Sequence, residues 1–322
     1  MKSIRRNFLF AAALLALASV AMAQAYPSKP IKLIWPYAPG GPGDAIARLL
    51  ATSMSASLGQ QVIVENRTGA SGSIGAVAVQ RSPADGYTLL LNTITTNVQV
   101  PLVTKDPSFD PVKSLTPVIN VGSNPLAILV NPSLPVTDFP SFIAWAKQQP
   151  NGVDVAVAGP TLEVASALLS QQAGIKLVNI PFRGNAPALQ AVLAGDVKVY
   201  YNTPSGTLLQ HLKDGKLRLI AVASAEPSVL LPGAAPIGKF IPGYVQDINY
   251  AIWGPAGMPS AIVSRVGEAV RKAMAEPGMA EKFLQNGVAP ALAGPEEVTR
   301  ITQREAANIK RIMETTPVKF GE

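Results

Sequence analysis

The stretch Ile31 to Asn66, IKLIWPYAPGGPGDAIARLLATSMSASLGQQVIVEN, decides the fold. IKLIW (31–35) is a short β-rich run. A turn rich in glycine and proline follows, with Gly40, Gly41 and Gly43 at its end. Ile46, Leu49, Leu50, Met54 and Leu58 then recur at helical spacing, with Asp44 placed to cap the helix and Gly59 to close it. QVIVEN is the next strand. Strand, helix and strand in this order imply a parallel sheet covered by helices. Glycines at the mouth of a helix let the backbone approach another group closely, and the helix start favours negative charge, so the turn reads as an anion cradle.

The alternation continues along the chain. SGSIGAVAVQRS reads as a small-residue helix capped by Ser71, and GYTLLLNT as a strand running out at Thr93. A second set begins with LAILVN after Pro125. It continues with a helix over 140–149 that holds Trp145, the strand VDVAVAG ending at Gly159, and a helix over 162–173 closed by Gly174. IKLVNIPF follows as a strand, then a helix capped by Asn185 with Pro187 in its first turn and Gly195 beyond its end. VKVYYN and LRLIAVA are strands flanking a helix over 208–213. INYAIWGPAG leads into three C-terminal helices, starting near Ser260, Met279 and Pro295. The expectation is an α/β chain of two mainly parallel lobes: 24–124 plus 247–322 forms one, and 125–246 the other. Two crossings near Asn124 and Asp247 would act as a hinge. A cleft between such lobes, at the carboxyl ends of strands, suits a small molecule. Tyr37, Thr93, Gly159 and Asn202 all fall just past strand ends.

The N-terminus carries Lys2, Arg5 and Arg6, an uncharged apolar run from Phe8 to Val20, and Ala21-Met22-Ala23. This three-part pattern is a secretory signal peptide over 1–23, and the apolar run is too short to span a bilayer. A periplasmic location follows. There is no cysteine, which excludes disulfides, a thiol nucleophile and a lipid-modified cysteine. Those three residues account for three of the 27 basic ones, so the balance falls from +7 to +4 on cleavage. With sparse aromatics and no dense basic block, nucleic-acid binding is not expected.

Reaction chemistry finds little support. No Gly-Lys-Ser/Thr follows the first glycines, and GASGSIG (69–75) lacks dinucleotide spacing; Gly72 and Gly75 read as close helix packing. There is no G-x-S-x-G elbow. The one histidine, His211, lies at a helix end beside lysines and reads as solvated. One histidine without cysteine makes a zinc site atypical. No catalytic residue, metal or cofactor is expected.

The ordered landmarks YPSKPIKLIWPYAPGGPGDAIARLLA, GQQVIVENRTGASGSIGA, PADGYTLLLNT, FDPVK, IPFRGNAPALQAVLAGDV, NTPSGTLLQHLKDGKLRLIAV and WGPAGMPSAIVSRV resemble the Bug-type, TctC-like substrate-binding proteins of tripartite tricarboxylate transporters. The resemblance runs from Tyr26 to the C-terminus. It implies a two-lobe periplasmic-binding-protein fold closing on a small organic acid, with delivery to a membrane transporter of one large and one small subunit, and a monomeric receptor. It also implies ligand contacts in the first strand–helix turn, at Tyr37, Pro39, Gly40, Gly41 and Asp44, and in the strand-end turn, at Thr93, Thr95, Thr96 and Asn97. The second lobe would contribute Gly159, Thr161, Glu163, Arg183, Tyr201 and Asn202. Oriented amides can hold an anion without a buried counter-charge.

Several positions depart from the family pattern. Gly43-Asp44 stands where Thr-Asp is usual, Asn97 where a histidine often follows, AGPTLEVA where a Ser-rich, His-containing turn is common, and Tyr201-Asn202 where Asp-Asn is usual. Glu163 has two readings. In the first helical turn it can face water as a favourable dipole partner. In the cleft it would repel a second carboxylate and favour a monocarboxylate, an amino or hydroxy acid, or an aromatic acid over citrate. Arg183 is either a bidentate carboxylate clamp or a solvated loop residue. Two further functional readings stay open: a receptor presenting solute to a sensor kinase, and a periplasmic hydrolase built on His211 and a serine.

Overall fold

The structure is a computed structural model and describes residues 26–103, 109–110, 112–182 and 184–315. The expected signal peptide and Arg183 lie outside the described residues. β1 (Ile31–Trp35) is buried at alternate and then successive positions, as a central strand must be. α1 (Pro42–Leu58) packs Ile46, Leu50 and Met54 onto it, and Gly59 ends the helix in the left-handed conformation. The helix begins two residues earlier than Asp44. Gly41 is the N-cap, and Pro42 takes the first helical position, where its missing N–H costs nothing. Asp44 is therefore inside the first turn and does not cap.

β2 (Val62–Asn66) follows, then α2 (Ser73–Gln80), β3 (Thr88–Thr93) and α3 (Ile94–Val103). Gly72, not Ser71, precedes α2, and Ser71 itself sits at φ 52° in a tight turn. β4 (Leu115–Pro125) runs almost directly into β5 (Ala127–Val130). α4 (Phe139–Ala146), β6 (Val153–Val157), α5 (Pro160–Ala173), β7 (Leu177–Pro181), α6 (Asn185–Ala194), β8 (Val199–Asn202), α7 (Gly206–Lys213) and β9 (Arg218–Val222) come next. β10 (Asp247–Pro255), α8 (Ser260–Met274), α9 (Met279–Gln285), β11 (Ala289–Ala293) and α10 (Pro295–Thr315) complete the described chain. Gly184 rather than Asn185 occupies the N-cap of α6, so Asn185 is its first helical residue.

Two sheets result, ordered β11-β4-β10-β3-β1-β2 and β7-β6-β8-β5-β9. β1 is parallel to β2 and β3, and β6 is parallel to β7 and β8, as the strand–helix alternation requires. The rest of each sheet departs from the mainly parallel expectation. β10 is antiparallel to β3 and β4, β11 to β4, and β5 to β8 and β9. β4 passes almost directly into β5 and so carries the chain from one sheet to the other without the crossover connection that a parallel neighbour needs.

The passage between sheets is tied by main-chain bonds. Leu126 N–H donates to Gln246 carbonyl at 3.1 Å, Ala223 N–H to Leu126 carbonyl at 2.7 Å, and Gln246 N–H to Ala223 carbonyl at 2.7 Å. One apolar core joins α1 and α8 to the first sheet, another lies between β5, β8 and α6, and a third, longer one extends across both sheets.

Candidate functional site

A cavity of about 310 Å³ opens where the strand ends of the two sheets face each other. Helix starts surround it. The β1–α1 turn contributes Tyr37, Ala38, Gly41, Pro42 and Gly43; the start of α3 contributes Thr93 and Thr96; α5 contributes Gly159, Thr161 and Leu162; α6 contributes Asn185. Asn202 at the end of β8 and Thr203 just past it also line it, Ser71 closes one corner, and Trp35, Tyr250, Ile248, Val100 and Ala158 supply an aromatic and aliphatic wall. No Asp, Glu, Lys, Arg or His is among these lining residues.

The first amides of each helix have no partner within the helix. In α1 the first intrahelical bond is Ala45 N–H to Gly41 carbonyl at 3.1 Å, and Pro42 has no N–H, so Gly43 and Asp44 carry the free donors. In α5 the first bonds are Leu162 and Glu163 N–H to Gly159 carbonyl, at 3.1 and 3.3 Å. Gly159 and Gly184 precede α5 and α6 at φ 93° and 116°, where a side chain would be strained. Four helix starts thus present partial positive charge to a space that, among the described residues, no charged side chain lines. Such an arrangement favours an anion.

Tyr37 packs against Trp35 with ring centroids 5.0 Å apart. Burial pushes its phenol up, against the opposing effect of hydrogen bonds with Thr96 and Thr93. Thr93 and Thr96 also share a hydroxyl–hydroxyl bond of 2.8 Å, and Thr96 N–H donates to Thr93 Oγ1 at 3.2 Å. Tyr37 is thereby held as a neutral hydrogen-bonding wall residue.

Of the residues named from the sequence, the cavity brings together Tyr37, Gly41, Thr93, Thr96, Gly159, Thr161 and Asn202. The others are elsewhere. Asp44, 4% exposed, accepts from Arg48 Nε at 3.0 Å, Arg48 Nη2 at 3.0 Å, Asn66 Nδ2 at 2.9 Å and Gly40 N–H at 3.2 Å. Burial alone would raise its pKa, but these bonds together hold it below the usual carboxylate value. Both its carboxylate oxygens are occupied, so the Asp44 side chain braces the turn, and only its backbone N–H is left for a ligand. Gly40 spends its N–H on that brace, and Pro39 is exposed outside the cavity.

Thr95 is buried outside the cavity lining. Asn97 faces a separate small hollow with Gly72 and Phe109, where its Oδ1 accepts from Asn92 Nδ2 at 2.6 Å. Tyr201 turns into the core, where its hydroxyl pairs with that of Tyr244 at 2.6 Å, and Tyr244 in turn donates to Ala165 carbonyl at 3.2 Å. Glu163 is half-buried on α5 and is not part of the lining; its carbonyl accepts from Asn179 Nδ2 at 3.3 Å. The repulsion that argued against a second carboxylate therefore has no source in the cavity. His211 lies on α7, away from the lining.

Sequence reasoning missed Asn185, Thr203, Ser71, Tyr250 and Ile248 as lining residues. Asn185 had a signal, since it stands two positions after Arg183 in the sequence. Tyr250 had none: it reaches the cavity because β10, from far along the chain, inserts between β3 and β4.

A family model described as "Tripartite tricarboxylate transporter family receptor" (TctC) matches residues 46–317. A UPF0065 protein of Bordetella bronchiseptica is 32% identical, over 99% of this chain and 95% of its own. Protein BugT of Bordetella pertussis is 31% identical over 94% of each. Among solved structures, Rpa4515 of R. palustris, determined with adipate, superposes with a TM-score of 0.79 at 28% identity, covering 90% of this chain and 98% of that one. MatC of Rhodopseudomonas palustris, with bound malate, gives 0.75 at 25% identity over 89% and 99%. With the helix starts, the uncharged cavity and this match along nearly its whole length, the chain belongs to the TctC family of periplasmic substrate-binding proteins, which are not enzymes.

Proposed function

We propose that this protein captures a small organic acid in the periplasm and delivers it to a tripartite tricarboxylate-type membrane transporter. The observation that carries the reading is the convergence of four helix starts on a cavity that no charged side chain lines among the described residues. Amides held by the fold replace water around a carboxylate without reorganising. The adipate and malate seen in Rpa4515 and MatC are acids of the size such a cavity admits.

Capture follows from the two-sheet arrangement. Residues 24–124 with 247–322 form one lobe and 125–246 the other, with the main-chain ties at Leu126, Ala223 and Gln246 as the pivot. Tyr37, Gly43 and Thr96 contact the acid from one side and Thr161 and Asn202 from the other, so ligand contacts from both lobes favour closure. Export depends on cleavage after Ala23, and the receptor works as a monomer.

Thermal-shift screening of the mature protein against mono-, di- and tricarboxylates, followed by calorimetry, tests the first half. A ligand bound only by the folded form raises the melting temperature. Complete indifference to every acid would sink the reading. Co-purification of the liganded receptor with the large and small transporter subunits, and its absence with a sensor kinase, tests the delivery step.

A further inference from the structure

Asn185 lies exposed on the cavity wall, and the orientation of its amide is set from behind. Thr203 donates its backbone N–H to Asn202 Oδ1 at 2.7 Å. A backbone N–H cannot accept, so the oxygen of Asn202 is fixed on that side and its Nδ2 on the other. That Nδ2 donates to Asn185 Oδ1 at 3.1 Å. The oxygen of Asn185 is thus occupied, and its Nδ2 is the group left for the cavity. Tyr200 steadies the same turn by donating its hydroxyl to Asn185 carbonyl at 3.3 Å. The polarity of the relay comes from a main-chain group, which has no alternative rotamer.

The other lining groups agree with this polarity. Among the described residues no Asp or Glu lines the cavity, and the helix starts around it present N–H donors. An ammonium group placed against Asn185 would meet the Nδ2 donor with no carboxylate among the described lining residues to pair with, and the lining hydroxyls would replace its hydration only in part. A carboxylate oxygen there would gain a hydrogen bond. We infer that Asn185 is a specificity-determining ligand contact: it donates to a carboxylate or carbonyl oxygen at the far end of the bound acid and excludes an amine at that end. The inference rests on the reading of the cavity as a carboxylate site.

The test uses calorimetry on the mature chain with matched pairs: succinate and 4-aminobutanoate, glutarate and 5-aminopentanoate, adipate and 6-aminohexanoate. Each pair differs only in one terminal group. The wild-type protein is expected to bind the diacid of at least one pair about tenfold or more tighter than its amino partner. Asn185→Asp keeps an oxygen for Asn202 Nδ2 and turns a second oxygen toward the cavity. An acidic residue in the first turn also suits the helix start, so this variant folds. It is expected to lose about tenfold or more in diacid affinity and to shift preference toward the amino partner. Asn185→Ala is expected to weaken diacid binding without that shift.

Equal wild-type affinity for both members of every pair, or unchanged preference in Asn185→Asp, would overturn the inference while leaving carboxylate capture intact. Binding of none of these acids would also overturn it, and the wider acid screen then decides separately whether the cavity takes carboxylates at all.

Discussion

Gly43 lies directly against the indole of Trp35: a Cβ built on Gly43 would sit 2.0 Å from Trp35 Cη2 and 2.2 Å from Cζ2. The ring is buried between α1 and the first sheet, packed on Tyr37 and stacked on Tyr250 at 6.4 Å, so it could retreat only by disturbing the cavity wall. Gly43 is thus required by the close approach of helix start and ring, and the position of the α1 amides depends on it.

Gly43→Ala should push the turn off Trp35. Overpacking of this kind costs about 1–3 kcal/mol. The free amides would move with the turn, so carboxylate affinity should fall about tenfold or more. Urea unfolding and calorimetry on the same sample check both effects; wild-type values in both would show that the contact is unimportant.

Asp44 braces the same turn through charge. Asp44→Ala removes the carboxylate that Arg48, Asn66 and the Gly40 amide share, with an expected loss of about 1–3 kcal/mol at pH 7. Its folded pKa is depressed, so the stability it contributes is present above 3.8 and disappears as pH falls through the folded value. The gap between wild type and Asp44→Ala should therefore narrow on acidification. A gap that widened instead would contradict the assignment.

Asp247 behaves in the opposite sense. It begins β10 beside the inter-sheet ties, and burial raises its carboxyl from 3.8 to about 6, against the pull of Arg304. Glu305 is raised as well, by burial and by the Asp247 charge, although Arg304 pulls it down. A raised folded pKa means that the folded state holds the proton more tightly, so stability falls as pH rises from about 4 to about 6. Asp247→Asn should remove that dependence and be more stable than wild type near pH 7, by about 1–3 kcal/mol. Chemical denaturation at pH 4 and pH 7 provides the comparison, with equal pH dependence in both proteins as the outcome that counts against it.

Tyr201→Phe separates core from cavity. Losing the hydroxyl pair with Tyr244 should cost about 1 kcal/mol of stability and leave ligand affinity unchanged. A large affinity loss without destabilisation would return Tyr201 to the cavity.

Local order was legible in the chain. Apolar spacing, with Gly59, Gly174 and Gly195 as stops, identified the corresponding helices, and short β-rich runs identified β1, β2, β3 and β6. The strand β4 escaped notice because LTPVINVGSNP carries proline, glycine and asparagine, which read as loop; buried pairing with β10 overrides that preference. α3 was missed because β-branched residues and Pro101 lower its intrinsic helicity.

By itself the sequence determined that the chain alternates strands and helices, places glycines at helix starts and resembles one receptor family along its length. Those properties depend on neighbours in the chain. Only tertiary structure decided which side chains face the cavity. Tyr201 and Asn202 are adjacent on a strand, and adjacent strand residues point to opposite faces, so one enters the core with Tyr244 and the other reaches the cavity. Asp44 is claimed by Arg48 and Asn66, and Tyr250 arrives from a distant strand. Each outcome depends on partners that the fold brings together from separate parts of the chain.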